Sequence, residues 1–174
     1  MYKRATYIFF AMLFICSCEE VEDLLTFRIN DSANITIESS SPLNLPVTIP
    51  TPAVTSNSRQ EFENNNTKAE LVRDVKLEQL KLTITQPSGK SFSFLKSIRI
   101  FISTDQEGEM ELASLDNIST TSGVLELVPT TEKLDPFIKA PQYGLRTEIV
   151  TDETLTQDVD VLVNLRFKVT ADTF

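Results

Sequence analysis

The chain has 174 residues, 41% of them hydrophobic, with 4 glycines, 2 cysteines, no histidine, no tryptophan and a formal net charge of −9. So acidic a surface, with no run of Lys and Arg against it, argues against binding a phosphate backbone and hence against nucleic acid as a partner. Lack of histidine removes the commonest general base and transition-metal ligand, and confining cysteine to Cys16 and Cys18 rules out a disulfide framework or a cysteine–metal cluster in the rest of the chain.

Lys3 and Arg4 precede an uncharged, mostly apolar stretch over residues 5–15. A run of about 11 to 13 residues is too short to cross a hydrocarbon core of about 30 Å as a helix. It suits a secretory leader instead. The residues that close it, Ile15-Cys16-Ser17-Cys18, resemble the lipobox of bacterial lipoproteins, in which an aliphatic residue precedes two small ones and the modified cysteine. Cys16 departs from the Ala, Ser or Thr usual at its position. The resemblance covers only the leader and the residues just after it. It implies cleavage before Cys18, a diacylglyceryl thioether on that sulfur, an acylated N-terminus and a place at the bacterial outer membrane. Several acyl chains, at about 0.8 kcal/mol per buried CH₂, make a lasting anchor where one chain is marginal.

Glu19, Glu20, Glu22 and Asp23 come immediately after Cys18. They resemble the acidic export tags that direct lipoproteins of some Gram-negative bacteria to the cell surface. The same run also reads as a solvated tether, so the periplasmic and the surface-exposed face both stay open. The expected organisation is a signal peptide over residues 1–17, an acidic tether over 18–24 and one domain over 25–174. A domain of that size buries roughly 70% of its unfolded surface and needs no covalent or metal staple.

Period-two alternation dominates the domain. Leu25, Phe27 and Ile29 open it, with Ile35 and Ile37 next, then Leu45, Val47 and Ile49. Pro46 and Pro50 confine that last piece to a sheet edge. Leu80, Leu82 and Ile84 alternate with Lys81, Thr83 and Thr85, and Gln86-Pro87-Ser88-Gly89 makes a turn. Phe92 and Phe94 lead into Ile98, Ile100 and Ile102, and Met110 and Leu112 alternate with Glu109 and Glu111. Shorter runs occupy residues 124–128 and 142–150. The longest run places Val159, Val161, Val163, Leu165, Phe167 and Val169 on one face and Asp158, Asp160, Asn164, Arg166 and Lys168 on the other, with Leu162 the exception.

Two stretches read as helical. Ser58 and Glu61 have capping-box spacing, and residues 67–74 put Ala69, Leu71 and Val72 roughly on one side. Residues 131–139 should form one or two turns, with Leu134, Phe137 and Ile138 closing an end of the core. Connectors too short for repeated crossover helices make the sheets antiparallel. The expected fold is an all-β sandwich, immunoglobulin-like or of related Greek-key type, with one or two short helices.

Chemistry-bearing clusters are few. Asp105, Glu107 and Glu109 surround Gly108 in an acidic turn that could hold calcium, but the EF-hand spacing is missing and a solvated hairpin tip is the simpler reading. Asp158 and Asp160 read as exterior charges that blunt edge pairing. Ser93 and Lys96 have the spacing of penicillin-recognising acyl transferases, without the Lys-Thr-Gly partner motif. Tyr143, Phe137 and Phe92 read as core. No catalytic constellation and no cofactor is expected. The sequence therefore leads to a non-enzymatic, lipid-anchored envelope protein with a structural or adhesive role and an envelope protein as partner. The alternative is a module binding a small apolar ligand or a glycan.

Overall fold

The computed structural model describes residues 25–172. The strands are β1 (Thr26–Ile37), β2 (Pro46–Pro50), β3 (Val54–Thr55), β4 (Val72–Gln86), β5 (Leu95–Ser103), β6 (Met110–Asp116), β7 (Val124–Pro129), β8 (Gln142–Thr151) and β9 (Val159–Ala171), with short helices α1 (Ser58–Asn64) and α2 (Asp135–Lys139). All the strand pairs are antiparallel, in the order β1-β9-β4-β7-β6-β5-β8-β2, and β3 pairs with the start of β8.

This sheet is curled into two layers. β6 and β7 pair only at Ala113–Pro129 and Ser114–Val128, a narrow strip about which the β6-β5-β8-β2 half folds over the β1-β9-β4-β7 half. Tyr143 of β8 meets Phe167 of β9 edge-on at 6.3 Å between ring centroids, a contact between the two halves through the interior. Apart from β5 to β6, every step of the chain between the main strands passes from one half to the other. That is the double Greek key of a jelly roll.

Alternation explains why these segments are strands. Successive side chains point to opposite faces, and in β9 the burial tracks the apolar residues from Val159 through Val169 without a break. β1 does the same over twelve residues, joining what the sequence suggests as two strands; its inward row is Ile29, Asp31, Ala33, Ile35 and Ile37. The inner faces are filled by Phe92, Phe94, Tyr143, Phe167, Leu80, Leu82, Ile98 and Ile100, all at most 1% exposed. Each such side chain contributes about 1.5–3 kcal/mol by leaving water.

Several expectations are corrected. Asn57, not Ser58, caps α1, and no side chain closes the cap; Ser58 is buried in the first turn. Residues 67–74 make only a 3-10 turn, Ala69–Leu71, before β4 begins at Val72. β9 lies between β1 and β4, so Asp158 and Asp160 guard no edge. They hold the turn after β1 and the neighbouring strand instead: Thr36 Oγ1 donates to Asp160 Oδ1 at 2.7 Å, and Ser39 N to Asp158 Oδ1 at 2.8 Å. β2 is an edge strand, as its two prolines require. Leu134, Phe137 and Ile138 are buried at α2.

Candidate functional site

Cys18, Glu19, Glu20, Glu22 and Asp23 lie outside the described residues. Among the described residues no helix is long and apolar enough to cross a membrane.

The acidic turn between β5 and β6 is organised by Thr104 rather than by a shared ligand. Its Oγ1 accepts the Glu107 N–H at 2.9 Å, and its own N–H donates to the Glu107 carbonyl at 3.2 Å. Glu109 is turned away into an ion pair. Arg146 Nε and Nη2 each donate to its carboxylate at 2.7 Å, and Arg146 lies 4.0 Å over the Phe101 ring while also reaching Glu148. The hydrogen bond from Arg146 holds the Glu109 carboxyl below its ordinary range against a smaller opposing effect of burial. Asp105, Glu107 and Glu109 therefore do not converge. Among the described residues no group of three or more Asp, Glu, His or Cys is placed to hold a metal ion.

Ser93 sits in a 3-10 turn, Phe92–Phe94, and Lys96 in β5, so no helix sets the lysine over the serine. Tyr143, Phe92 and Phe137 are core residues, as the sequence suggests. What the sequence does not reveal is a set of surface hollows built from distant segments. One, about 460 Å³, lies between α1, the Ala69–Leu71 turn and the end of α2, and is lined by Ser58, Arg59, Phe62, Lys68, Lys139 and Pro141 among others. Phe62 stands edge-on to Phe27 at 6.2 Å, which puts this cleft at the end of the domain where β1 starts. Lys139 Nζ is tied to the Val72 carbonyl at 3.0 Å. A second hollow of about 440 Å³ gathers Ser93, Ser119, Thr120, Thr121, Asp152 and Glu153. A third, about 200 Å³, indents the outer face of the β1-β9-β4-β7 half beside Asn30, Gln79, Lys81, Asn164 and Arg166.

The two outer faces differ in how charge is handled. On the β6-β5-β8-β2 face, each arginine is shared by two acids: Arg99 by Asp116 and Glu111, Arg146 by Glu109 and Glu148. On the opposite face, Arg28 forms a two-pronged pair with Glu78 at 2.7 and 2.8 Å, which lowers the Glu78 carboxyl. Lys81, Arg166 and Lys168 have no carboxylate within ion-pair distance among the described residues.

No family model matches the sequence. No curated protein matches it either. Among solved structures, a chain of Desmodium yellow mottle tymovirus is similar at 10% identity, with 86% of this chain and 90% of that chain covered and a TM-score of 0.29. Likeness at that level carries no argument about role.

Proposed function

We propose that this chain is a lipid-anchored bacterial envelope protein that works by binding, in a structural or adhesive role, and not by catalysis. The observation that carries the proposal is the sequence Ile15-Cys16-Ser17-Cys18 at the end of an apolar run with Lys3 and Arg4 before it. Lipid on Cys18 would leave seven residues before Leu25. Fully extended, these span at most about 25 Å, so the end of the domain bearing Phe27 and α1 would stand close to the bilayer. The binding role is supported by the composition, which contains no histidine, the commonest general base.

Intact-mass spectrometry of the membrane-extracted protein, with protease shaving of whole cells, tests the proposal. The expected result is a polypeptide beginning at Cys18 and heavier than its sequence by a diacylglyceryl and an acyl group. Shaving then distinguishes a surface from a periplasmic domain. A Cys18→Ala variant that stays as firmly membrane-held as the natural chain would overturn the anchor.

A further inference from the structure

We infer that the outer face of the β1-β9-β4-β7 half binds an oxyanion carried on a small polyhydroxylated molecule, a sugar acid or sugar phosphate, with Lys81 and Arg166 taking the anion. Register assembles this site from three strands. Arg28, Lys168 and Lys76 stand opposite one another in one row across β1, β9 and β4; Asn30, Arg166 and Gln79 form the next; Ser32, Asn164 and Lys81 form the third. Five cations thus share one patch of a protein in which 25 acids outnumber 16 bases. Like charges placed directly opposite on a sheet destabilise it, and the chain holds enough carboxylates to relieve them, as it does for Arg99 and Arg146 on the other face. Here it relieves only some.

A β-bulge shows where the relief stops. The β4–β9 register shifts between Leu77 and Gln79, which turns both Glu78 and Gln79 away from the core. Glu78 pairs with Arg28. Glu126, which faces Lys81 from β7, accepts a hydrogen bond from Gln79. Glu78 and Glu126 are thus occupied, and Lys81 and Arg166 flank the 200 Å³ hollow with no carboxylate within ion-pair distance among the described residues, Glu78 acting on Arg166 only at longer range. The rest of its polar lining is Asp31, whose buried carboxylate accepts the Tyr143 hydroxyl, and three carboxamides, Asn30, Gln79 and Asn164. A carboxamide both donates and accepts, which matches a hydroxyl group; a cation matches a carboxylate or phosphate. The exterior positions of these strands carry no aromatic ring on which a base could stack, and the chain's net charge repels a long polyanion. Both observations favour a small ligand over nucleic acid.

The inference stands separately from the anchor, because binding is read on the full chain in detergent whether or not Cys18 carries lipid. Calorimetric titration with galacturonate, glucose 6-phosphate, galactose, inorganic phosphate and a single-stranded DNA oligomer tests it. One or both sugar acids should bind, and galactose should not; which of the two binds better separates a carboxylate from a phosphate site. Lys81→Gln and Arg166→Gln should each weaken binding by about tenfold or more, with the urea midpoint unchanged. Glu126→Gln should strengthen it. No saturable binding of either the sugar acid or the sugar phosphate, binding untouched by both cation substitutions, inorganic phosphate binding as tightly as the better of those two ligands, or preference for the DNA oligomer would each overturn the site.

Discussion

The Tyr143 hydroxyl donates a 2.9 Å hydrogen bond to Asp31 Oδ2, joining β8 of one layer to β1 of the other inside the protein. Asp31 stands in the inward row of β1, where its neighbours two residues away are Ile29 and Ala33. Burial, then the Asp31 charge and this hydrogen bond, push the phenol far above its ordinary range. Tyr143 is therefore the donor in this bond. Strands β1 and β8 are not neighbours in the sheet, so this bond fastens two layers where no ladder does.

Removing the donor leaves the carboxylate buried without it. Tyr143→Phe should cost about 1.5–3 kcal/mol in urea unfolding, the range for a hydrogen bond to a charged group. Tyr143→Phe combined with Asp31→Leu should cost less than Tyr143→Phe alone, because an unpaired buried charge is what makes the single change expensive. A double variant no better than the single would show that the bond is incidental to the layers' union.

The acid limb of stability should carry a contribution from Glu109. Its folded pKa is lowered by Arg146, so its stabilisation is present above the ordinary glutamate value of about 4.3 and disappears as pH falls through the lower folded value. The pair is largely solvated, with side chains 32% and 39% exposed, which limits the effect to under about 1 kcal/mol. Glu109→Gln should therefore be less stable than the natural chain at pH 7, and the gap should close at acid pH. A gap of equal size throughout would assign the loss to packing on Phe101 instead.

α1 is attached chiefly through one ring. Phe62 is 3% exposed and faces Phe27 at the start of β1, and the helix has no side-chain cap to hold it otherwise. Phe62→Ala should cost about 3–5 kcal/mol and speed amide exchange in α1 well before the β9 amides respond. Equal acceleration in α1 and β9 would mean that the helix unfolds only with the whole domain.

Most strands were legible because each buries one face of an antiparallel sheet, and burial imposes period two. β9 is the clearest: its exterior Arg166 and Lys168 and interior Leu165 and Phe167 lie where alternation puts them. The first half of β4 was not legible, since Val75 and Leu77 are out of phase with Leu80 and Leu82, and residues 67–74 read more naturally as helix. The basic face escaped notice for a related reason. Arg28, Lys76, Lys81, Arg166 and Lys168 form no run in the sequence, and only cross-strand register unites them. The capping expectation at Ser58 failed by one residue because Ser and Asn both suit that position; burial of Ser58 decided it.

That phase change in β4 leads to the sharpest test of the fold. Glu78 is the residue by which β4 exceeds its partner at the bulge. Deleting it makes Leu77, Gln79 and Leu80 alternate regularly, so every inward residue keeps its face and the main loss is the exposed pair with Arg28, about 1 kcal/mol or less. Deleting Lys81 removes a residue from a stretch without a bulge. Leu82, which is wholly buried, then turns to solvent while Thr83 turns inward, since a one-residue slip exchanges the faces. That deletion should cost about 2–5 kcal/mol or more, enough to unfold a marginal domain. Urea unfolding of the two deletions side by side checks this. Equal destabilisation would mean that Glu78 is built into the strand and that its bulge is not a removable insertion.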